Sequence, residues 1–281
     1  MSLSALDQDP ARWLAGALAA AIIAALAWRL RSLAVSGALA ATITGTVLVG
    51  CGGWWGGVLL VTFFVSSSAL SRTGRPAPNT PGQTRGNRRD AVQVLANGGV
   101  AAACAIVLAI TRNGVWAVAL AAALAAANAD TWATELGRLS GAWPRSIVTF
   151  RQVPAGTSGG VSFPGTIASL AGAALMGIVA VAGWNNAWLA LPDPGDNLAR
   201  LLMIVVGCGF AGSLADSVLG ATLQARYRCP ACGETTESSV HRCGTPTVLV
   251  RGIRWVTNDV VNITAIGLAT ALALWLAIGG R

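Results

Sequence analysis

The chain has 281 residues, 54% of them hydrophobic, with 34 glycines and only 11% charged residues. All 19 of its basic residues are arginine, which excludes any mechanism that needs a lysine. The +8 charge does not call for a nucleic-acid partner, because the arginines fall where membrane topology would put them.

Residues 1–10 are polar and acidic and lack the basic region and cleavage site of a secretory signal, so the first apolar run is expected to stay. Runs long enough to cross a bilayer recur eight times, at about 12–30, 33–50, 54–71, 90–111, 115–136, 162–183, 199–222 and 257–278. The fold class expected is all-α: a polytopic transmembrane helix bundle, one domain over residues 1–281, with a small Cys/His insertion at 225–254 between the last two spans. Fifteen arginines lie in the connections after the first, third, fifth and seventh spans. The positive-inside rule then puts both termini outside and those four connections in the cytoplasm. The expected location is the cytoplasmic membrane of a prokaryote, with the functional site on the cytoplasmic face. Three of those connections are long, roughly 18, 25 and 34 residues, as functional loops often are. Trp54, Trp55, Trp143, Trp184, Trp188 and Trp255 flank spans and read as an interfacial aromatic belt. Cys51, Cys104 and Cys208 lie in or beside apolar runs and read as packing residues.

The connection before span four carries Arg85, Arg88 and Arg89, suited with Arg151 to bidentate phosphate contacts. Topology alone would also supply basic loops there. Span four opens with Asp90, Gln93 and Asn97 at i, i+3 and i+7, one helical face. An Asp at a helix N-terminus can equally serve as a cap, and the same alternative applies to Asp259.

Span five ends with Asn128, Asp130 and Glu135, and span seven with Asp216 and Gln224. Ala129-Asp130-Thr131 and Ala215-Asp216-Ser217 repeat one small–Asp–hydroxyl pattern. A carboxylate within a membrane helix costs about 2.5–3.5 kcal/mol at the helix centre on insertion scales. Near a helix C-terminus it meets the wrong end of the dipole. Capping therefore does not account for this pair, and a site for a hard cation such as Mg²⁺ does.

Between spans five and six runs Gly156-Thr157-Ser158-Gly159-Gly160-Val161-Ser162, a glycine- and hydroxyl-rich segment that feeds a helix N-terminus. Such backbone can cradle phosphate, although the lysine of a P-loop is missing. After span seven come Cys229, Cys232, His241 and Cys243 in zinc-ligand spacing. Four protein ligands leave no open position, so a structural Zn²⁺ is expected to brace this loop. Span eight opens with Asn258, Asp259 and Asn262. Its opening resembles that of span four as the two Asp phrases resemble each other, which suggests a weak internal repeat.

The segments at 79–99, 129–137 (A-D-T-W-A-T-E-L-G), 156–162, 214–224 and 258–262 together resemble the integral-membrane phytyl-phosphate kinase family. The resemblance spans about residues 30–278. It implies Mg²⁺-dependent transfer of the terminal phosphoryl of a nucleoside triphosphate, CTP or another, to an isoprenoid monophosphate lipid. Under it, Asp130 and Asp216 would hold Mg²⁺, with Asp259 and Asp90 completing or orienting its shell. Residues 156–162 would hold the nucleotide phosphates, and Arg85, Arg88 and Arg89 the acceptor phosphate. Asn97, Asn128, Glu135, Gln224, Asn258 and Asn262 would complete the binding set. The Cys/His loop, an insertion absent from many members, would lie outside the chemistry. A homodimer is left open. Two alternatives stand: a CDP-lipid-type nucleotidyltransferase, and a polyprenyl-phosphate or ion transporter.

Overall fold

The computed structural model describes residues 10–73, 88–185 and 198–279. Arg85 and Trp188 lie outside them. The described chain forms seven long helices, α1 (Pro10–Arg29), α2 (Val35–Thr73), α3 (Ala91–Thr111), α4 (Val115–Leu139), α5 (Phe163–Asn185), α6 (Leu198–Thr222) and α7 (Asn258–Ile278). All seven are long and apolar enough to cross a membrane.

Continuous helix would make the 39 residues of α2 about 58 Å long at 1.5 Å per residue, twice a bilayer's hydrocarbon core. It does not run straight. Gly53 has φ 69° and ψ −174°, a region essentially confined to glycine. The chain reverses there. A Cβ on Gly56 would lie 2.7 Å from the Leu48 carbonyl oxygen, and one on Gly57 would lie 2.7 Å from Val49. Residues eight apart along one straight helix cannot approach like this. The helix is therefore two antiparallel arms, 35–52 and 54–73, which recovers the eight apolar segments read from the sequence.

At the centre stands α4. From Ala117 to Ala129 nearly every residue is at most 2% exposed. A helix buried on all faces needs small apolar residues all round, and this one is mostly alanine. It packs on α2, α3, α5, α6 and α7. On the periphery, α1 exposes Leu14, Leu18, Ile22 and Leu26, a stripe at i+4 spacing that suits lipid contact.

Two of the tryptophans expected in a belt belong to the core. Trp55 is 1% exposed, donates from Nε1 to the Ala180 carbonyl oxygen at 2.9 Å, and meets Trp184 edge-on with centroids 5.9 Å apart. Buried indoles need such an acceptor. Trp54, Trp143 and Trp255 are exposed as expected. Cys51, Cys104 and Cys208 are buried free thiols.

Extended structure is confined to one end of the bundle. β1 (Arg145–Ser146) pairs with β2 (Gly160–Val161), so the connection between α4 and α5 folds back beside the start of α5. Between α6 and α7, β3 (Arg226–Arg228) lies at the centre of an antiparallel sheet, flanked by β4 (Thr235–Thr236) and β5 (Val248–Arg251). Gly252, at φ 81°, lets this module close on α6: a Cβ there would fall 2.1 Å from the Gln224 carbonyl oxygen.

Candidate functional site

The two Asp phrases come together. Asp130 on α4 and Asp216 on α6 stand within electrostatic reach of each other. From α7, Asn262, its amide assigned with the nitrogen toward these two acceptors because the opposite orientation would set oxygen against oxygen, donates to Asp216 Oδ2 at 2.8 Å and to the Asn258 carbonyl oxygen at 3.1 Å. Three helices thus place two carboxylates and an amide at one spot. This all-oxygen donor set, with one carboxylate held by an amide, fits a hard cation.

Two cavities meet there. One, of about 800 Å³, runs between α1 and the arms of α2 and is lined by apolar residues such as Ile23, Val49, Leu60 and Val61. Its wall follows one α2 arm from Trp54 to Ser66, roughly 18 Å at 1.5 Å per residue. Polar groups line its inner end: Arg89, Gln93, Asn97, Glu135, Asp259 and Asn262. The second cavity, of about 690 Å³, is lined by the 156–162 segment with Ser213, Asp216, Ser217 and Glu237. Asp130, Thr134 and Asn258 line both. Asp130 is therefore the carboxylate shared by an apolar groove and a polar cavity.

The glycine segment forms a wall of the polar cavity by packing on the end of α6. Gly156 and Gly159 have φ of 79° and 77°. A Cβ on Gly159 would sit 2.4 Å from that of Ala221, and one on Gly220 would sit 2.6 Å from Ser158 Oγ. Glycine is required at both sides of this contact. The Ser158 hydroxyl donates to Gln224 Oε1, and Gln224 is 2% exposed. Ser162 is taken up locally: its Oγ accepts from the Gly165 N–H at 3.2 Å and caps α5.

Other candidates have structural partners. Asp90 caps α3: its Oδ1 accepts from the Gln93 N–H at 3.0 Å while Gln93 Oε1 accepts from the Asp90 N–H at 3.1 Å, a capping box. It lines neither of the two cavities described above. Asp259 behaves otherwise. Thr257 caps α7, and Asp259 is 6% exposed on the groove wall. Asn128 is fully buried in a knot. Its Oδ1 accepts from Ser66 at 2.9 Å and Ser67 at 3.3 Å, and its Nδ2 donates to the Gly172 carbonyl oxygen at 2.9 Å. Asn97 donates to the Gln93 carbonyl oxygen at 2.8 Å from the groove wall. Arg88 is exposed, whereas Arg89 lines the groove. Burial lowers the Arg89 pKa from its usual value, and the nearby Glu135 carboxylate opposes that shift. Glu135 also accepts from the Ser71 hydroxyl at 2.8 Å.

Cys229, Cys232, His241 and Cys243 converge, their ligand atoms all within 4.8 Å of one another. Glu234 Oε2 lies 3.0 Å from His241 Nε2, and Arg242 pairs with Glu234 at 3.0 Å. A carboxylate on Nε2 fixes the proton there and leaves Nδ1 free as a ligand. Hydrogen bonding with Thr245, then with His241, brings the Cys243 thiol down to about 6, toward the thiolate that binds metal. Three sulfurs and an imidazole suit a soft or borderline cation.

A family described as integral membrane protein DUF92 matches residues 18–270. The chain belongs to this family. Protein PGR of Arabidopsis thaliana is 32% identical over 272 residues, covering 89% of this chain and 91% of that one. An uncharacterised membrane protein of Methanocaldococcus jannaschii is 30% identical, over 72% of this chain and 79% of its own. Protein VTE6, chloroplastic, of Arabidopsis thaliana is 23% identical, over 86% of this chain and 64% of its own. No solved structure matches. The DUF92 match covers α2 to α6 in full, parts of α1 and α7, both Asp phrases and the glycine segment.

Four residues of this DUF92 chain at the polar cavity or its rim were not anticipated: Ser169, Glu237, Arg226 and Arg251. Ser169 looks like one more small helix-packing residue in its sequence. The arginines look like topology, and Glu237 stands among metal-ligand spacings that carry the stronger pattern.

Proposed function

We propose that this protein transfers the terminal phosphoryl group of a nucleoside triphosphate to an isoprenoid monophosphate, giving the diphosphate and a nucleoside diphosphate. The observation that carries the reading is the position of Asp130, at the junction of an apolar groove and a polar, glycine-walled cavity. One compartment suits a lipid chain with an anionic head, the other a nucleotide's phosphates.

In this reading the prenyl chain lies in the groove and its phosphate meets Arg89 at the inner end. The Thr157 hydroxyl and those backbone N–H groups of the 156–162 turn that no internal carbonyl takes up hold the nucleotide phosphates. An acceptor phosphate oxygen bonds to the terminal phosphorus as the bond to the bridging oxygen breaks, and nucleoside diphosphate leaves. The acceptor is already an anion, so the residues act by positioning and charge neutralisation. Asp130 and Asp216 would hold Mg²⁺, which when bound neutralises phosphate charge, with Asn262 orienting Asp216. Asp259 would act from the groove side. A Zn²⁺ held by Cys229, Cys232, His241 and Cys243 would brace the connection before α7. The arginine distribution supports an active site on the cytoplasmic face of a prokaryotic membrane.

The test is a screen of purified protein with prenyl monophosphates and labelled CTP, ATP, GTP and UTP. Prenyl diphosphate and nucleoside diphosphate are expected in equal amounts. Release of inorganic diphosphate would show nucleotidyl transfer instead. Lipid or ion flux in proteoliposomes without nucleotide turnover would show a transporter.

A further inference from the structure

The Cys/His module does more than bridge α6 and α7. Its sheet carries a row of charged side chains, of which Glu237 lines the polar cavity while Arg226 and Arg251 line the small cleft beside it. β3 pairs with β4 through Tyr227↔Thr236 and Arg228↔Thr235, so the next position in register sets Arg226 opposite Glu237. On the other side Arg226 pairs with Arg251. Arg226 and Glu237 feel each other's charge. Arg226 also donates to Thr235 Oγ1 at 3.1 Å, and Arg251 donates to the Gly220 carbonyl oxygen at 2.9 Å, which ties the row to α6. Glu237 lines the same cavity as Asp130 and Asp216 and lies within electrostatic reach of Asp216.

Two buried polar groups here have hydrogen-bonding capacity that a bound ligand could take up. Ser169, 2% exposed, lines the polar cavity, and its hydroxyl has no hydrogen-bond partner among the described residues. Gln224, also 2% exposed, has an Nε2 with no partner among the described residues, at the small cleft it shares with Glu237, Arg226 and Arg251. Buried polar groups left without a partner are destabilising, and a phosphate oxygen or a cation's water would relieve this.

The link to the metal ligands is short. Glu234, which holds His241, directly precedes β4, and Glu237 directly follows it. Cys229 directly follows β3, and its N–H donates to the Glu234 carbonyl oxygen at 2.9 Å. A metal that fixes Cys229 and, through His241, Glu234 therefore fixes the turn end of the strand pair, and Glu237 lies in the short stretch between Glu234 and the ligand His241.

We propose that the Cys/His module is a metal-clamped wall of the polar cavity, and that Glu237, which it delivers there, is a further cation-positioning carboxylate beside Asp216. This rests on reading the polar cavity as a cation and phosphate site, but not on the identity of the lipid acceptor.

The experiment measures Mn²⁺ binding by electron paramagnetic resonance on full-length, zinc-loaded protein in detergent, with no nucleotide present. Mn²⁺ competes poorly for a three-sulfur, one-nitrogen site, so it reports the oxygen site. Glu237→Gln should weaken Mn²⁺ roughly tenfold, and Glu237→Asp much less. Cys229→Ser combined with Cys232→Ser should weaken it to a similar degree. Added to Glu237→Gln, the cysteine changes should have no further effect, the mark of one shared route. If the cysteine variant does not fold, Glu234→Gln takes its place, since it keeps all four ligands and removes only the partner of His241. Wild-type Mn²⁺ affinity in Glu237→Gln would overturn the role of that residue. Full additivity, or no effect of Glu234→Gln, would overturn the clamp. Mn²⁺ binding that follows the expected pattern in a protein inactive toward every prenyl phosphate would leave this proposal standing and sink the kinase reading. Wild-type protein that binds no Mn²⁺ would remove the cation centre altogether.

Discussion

Asn262 of α7 holds Asp216 of α6, its amide nitrogen 2.8 Å from Oδ2 and 3.1 Å from its own helix's Asn258 carbonyl oxygen. The amide is thereby anchored on one side, so the carboxylate it grips is fixed in orientation. A ligand held by an outer partner needs less reordering when the cation arrives. Asn262→Leu should therefore lower Mn²⁺ affinity roughly tenfold while the protein folds normally. Unchanged Mn²⁺ affinity would show that Asp216 needs no such orientation.

Asp130 and Asp216 are expected to differ despite their matching phrases. Both Asp→Asn variants should lose more than about 90% of Mg²⁺-dependent turnover, at least 1.4 kcal/mol of barrier. Only Asp130 also lines the groove. Asp130→Asn should thus change the binding of a prenyl monophosphate in the absence of nucleotide, and Asp216→Asn should leave it unchanged. Equilibrium binding of a labelled prenyl phosphate checks this, and equal effects of the two variants would refute the division of roles.

Much of this arrangement is readable in the sequence, and the physical reasons for the rest are specific. Apolar run length fixed the helices because a bilayer core sets their length. The Asp phrases stood out because a carboxylate near a helix C-terminus in an apolar segment has no local explanation. Asp90 and Asp259 looked alike, since both open a helix, and only packing separates them: Asp90 caps its helix, while Thr257 caps the other and Asp259 lines the groove. Asn128 carries the same amide as Asn262 yet is spent on Ser66, Ser67 and Gly172. Glu237 could not be read at all, because a two-residue strand in register with Arg226 leaves no periodic trace.

The capping assignment for Asp90 gives its own test. Asp90→Ala should destabilise the protein by about 1 kcal/mol through loss of the cap. Asp90→Asn should cost far less, because Asn caps nearly as well. Turnover per folded molecule should change little in either. Thermal unfolding in detergent with matched activity assays measures both. A large loss of activity in Asp90→Asn at normal stability would return Asp90 to the catalytic set.

Groove width should set acceptor choice. Val61 lines the apolar groove from the second arm of α2. Val61→Trp adds bulk within the groove and leaves the polar cavity untouched. The KM for long prenyl phosphates should rise by roughly tenfold or more relative to short ones, since each buried CH₂ is worth about 0.8 kcal/mol. The nucleotide KM should not move. A uniform loss for all acceptors would argue that the chain lies elsewhere.

Glycine at 159 is the sharpest single-site test of the phosphate wall. Its φ of 77° disfavours any side chain, and a Cβ would lie 2.4 Å from that of Ala221 and 2.6 Å from Ala221 Cα and N. Ala221 is helical backbone, so it cannot swing aside as a flexible side chain would. Gly159→Ala should therefore push the 156–162 turn off the end of α6 and break the Ser158–Gln224 hydrogen bond. Because the turn walls the polar cavity and not the groove, the defect should fall on the nucleotide: kcat/KM for nucleotide down by at least roughly tenfold, about 1.4 kcal/mol. Binding of a prenyl phosphate alone should persist. Gly207→Ala is the matched control. It lies within α6, a Cβ there meets nothing within 4 Å, and the change should be neutral or stabilising by up to about 1 kcal/mol. If Gly159→Ala bound and turned over nucleotide as well as Gly207→Ala does, the glycine turn would not be the phosphate cradle.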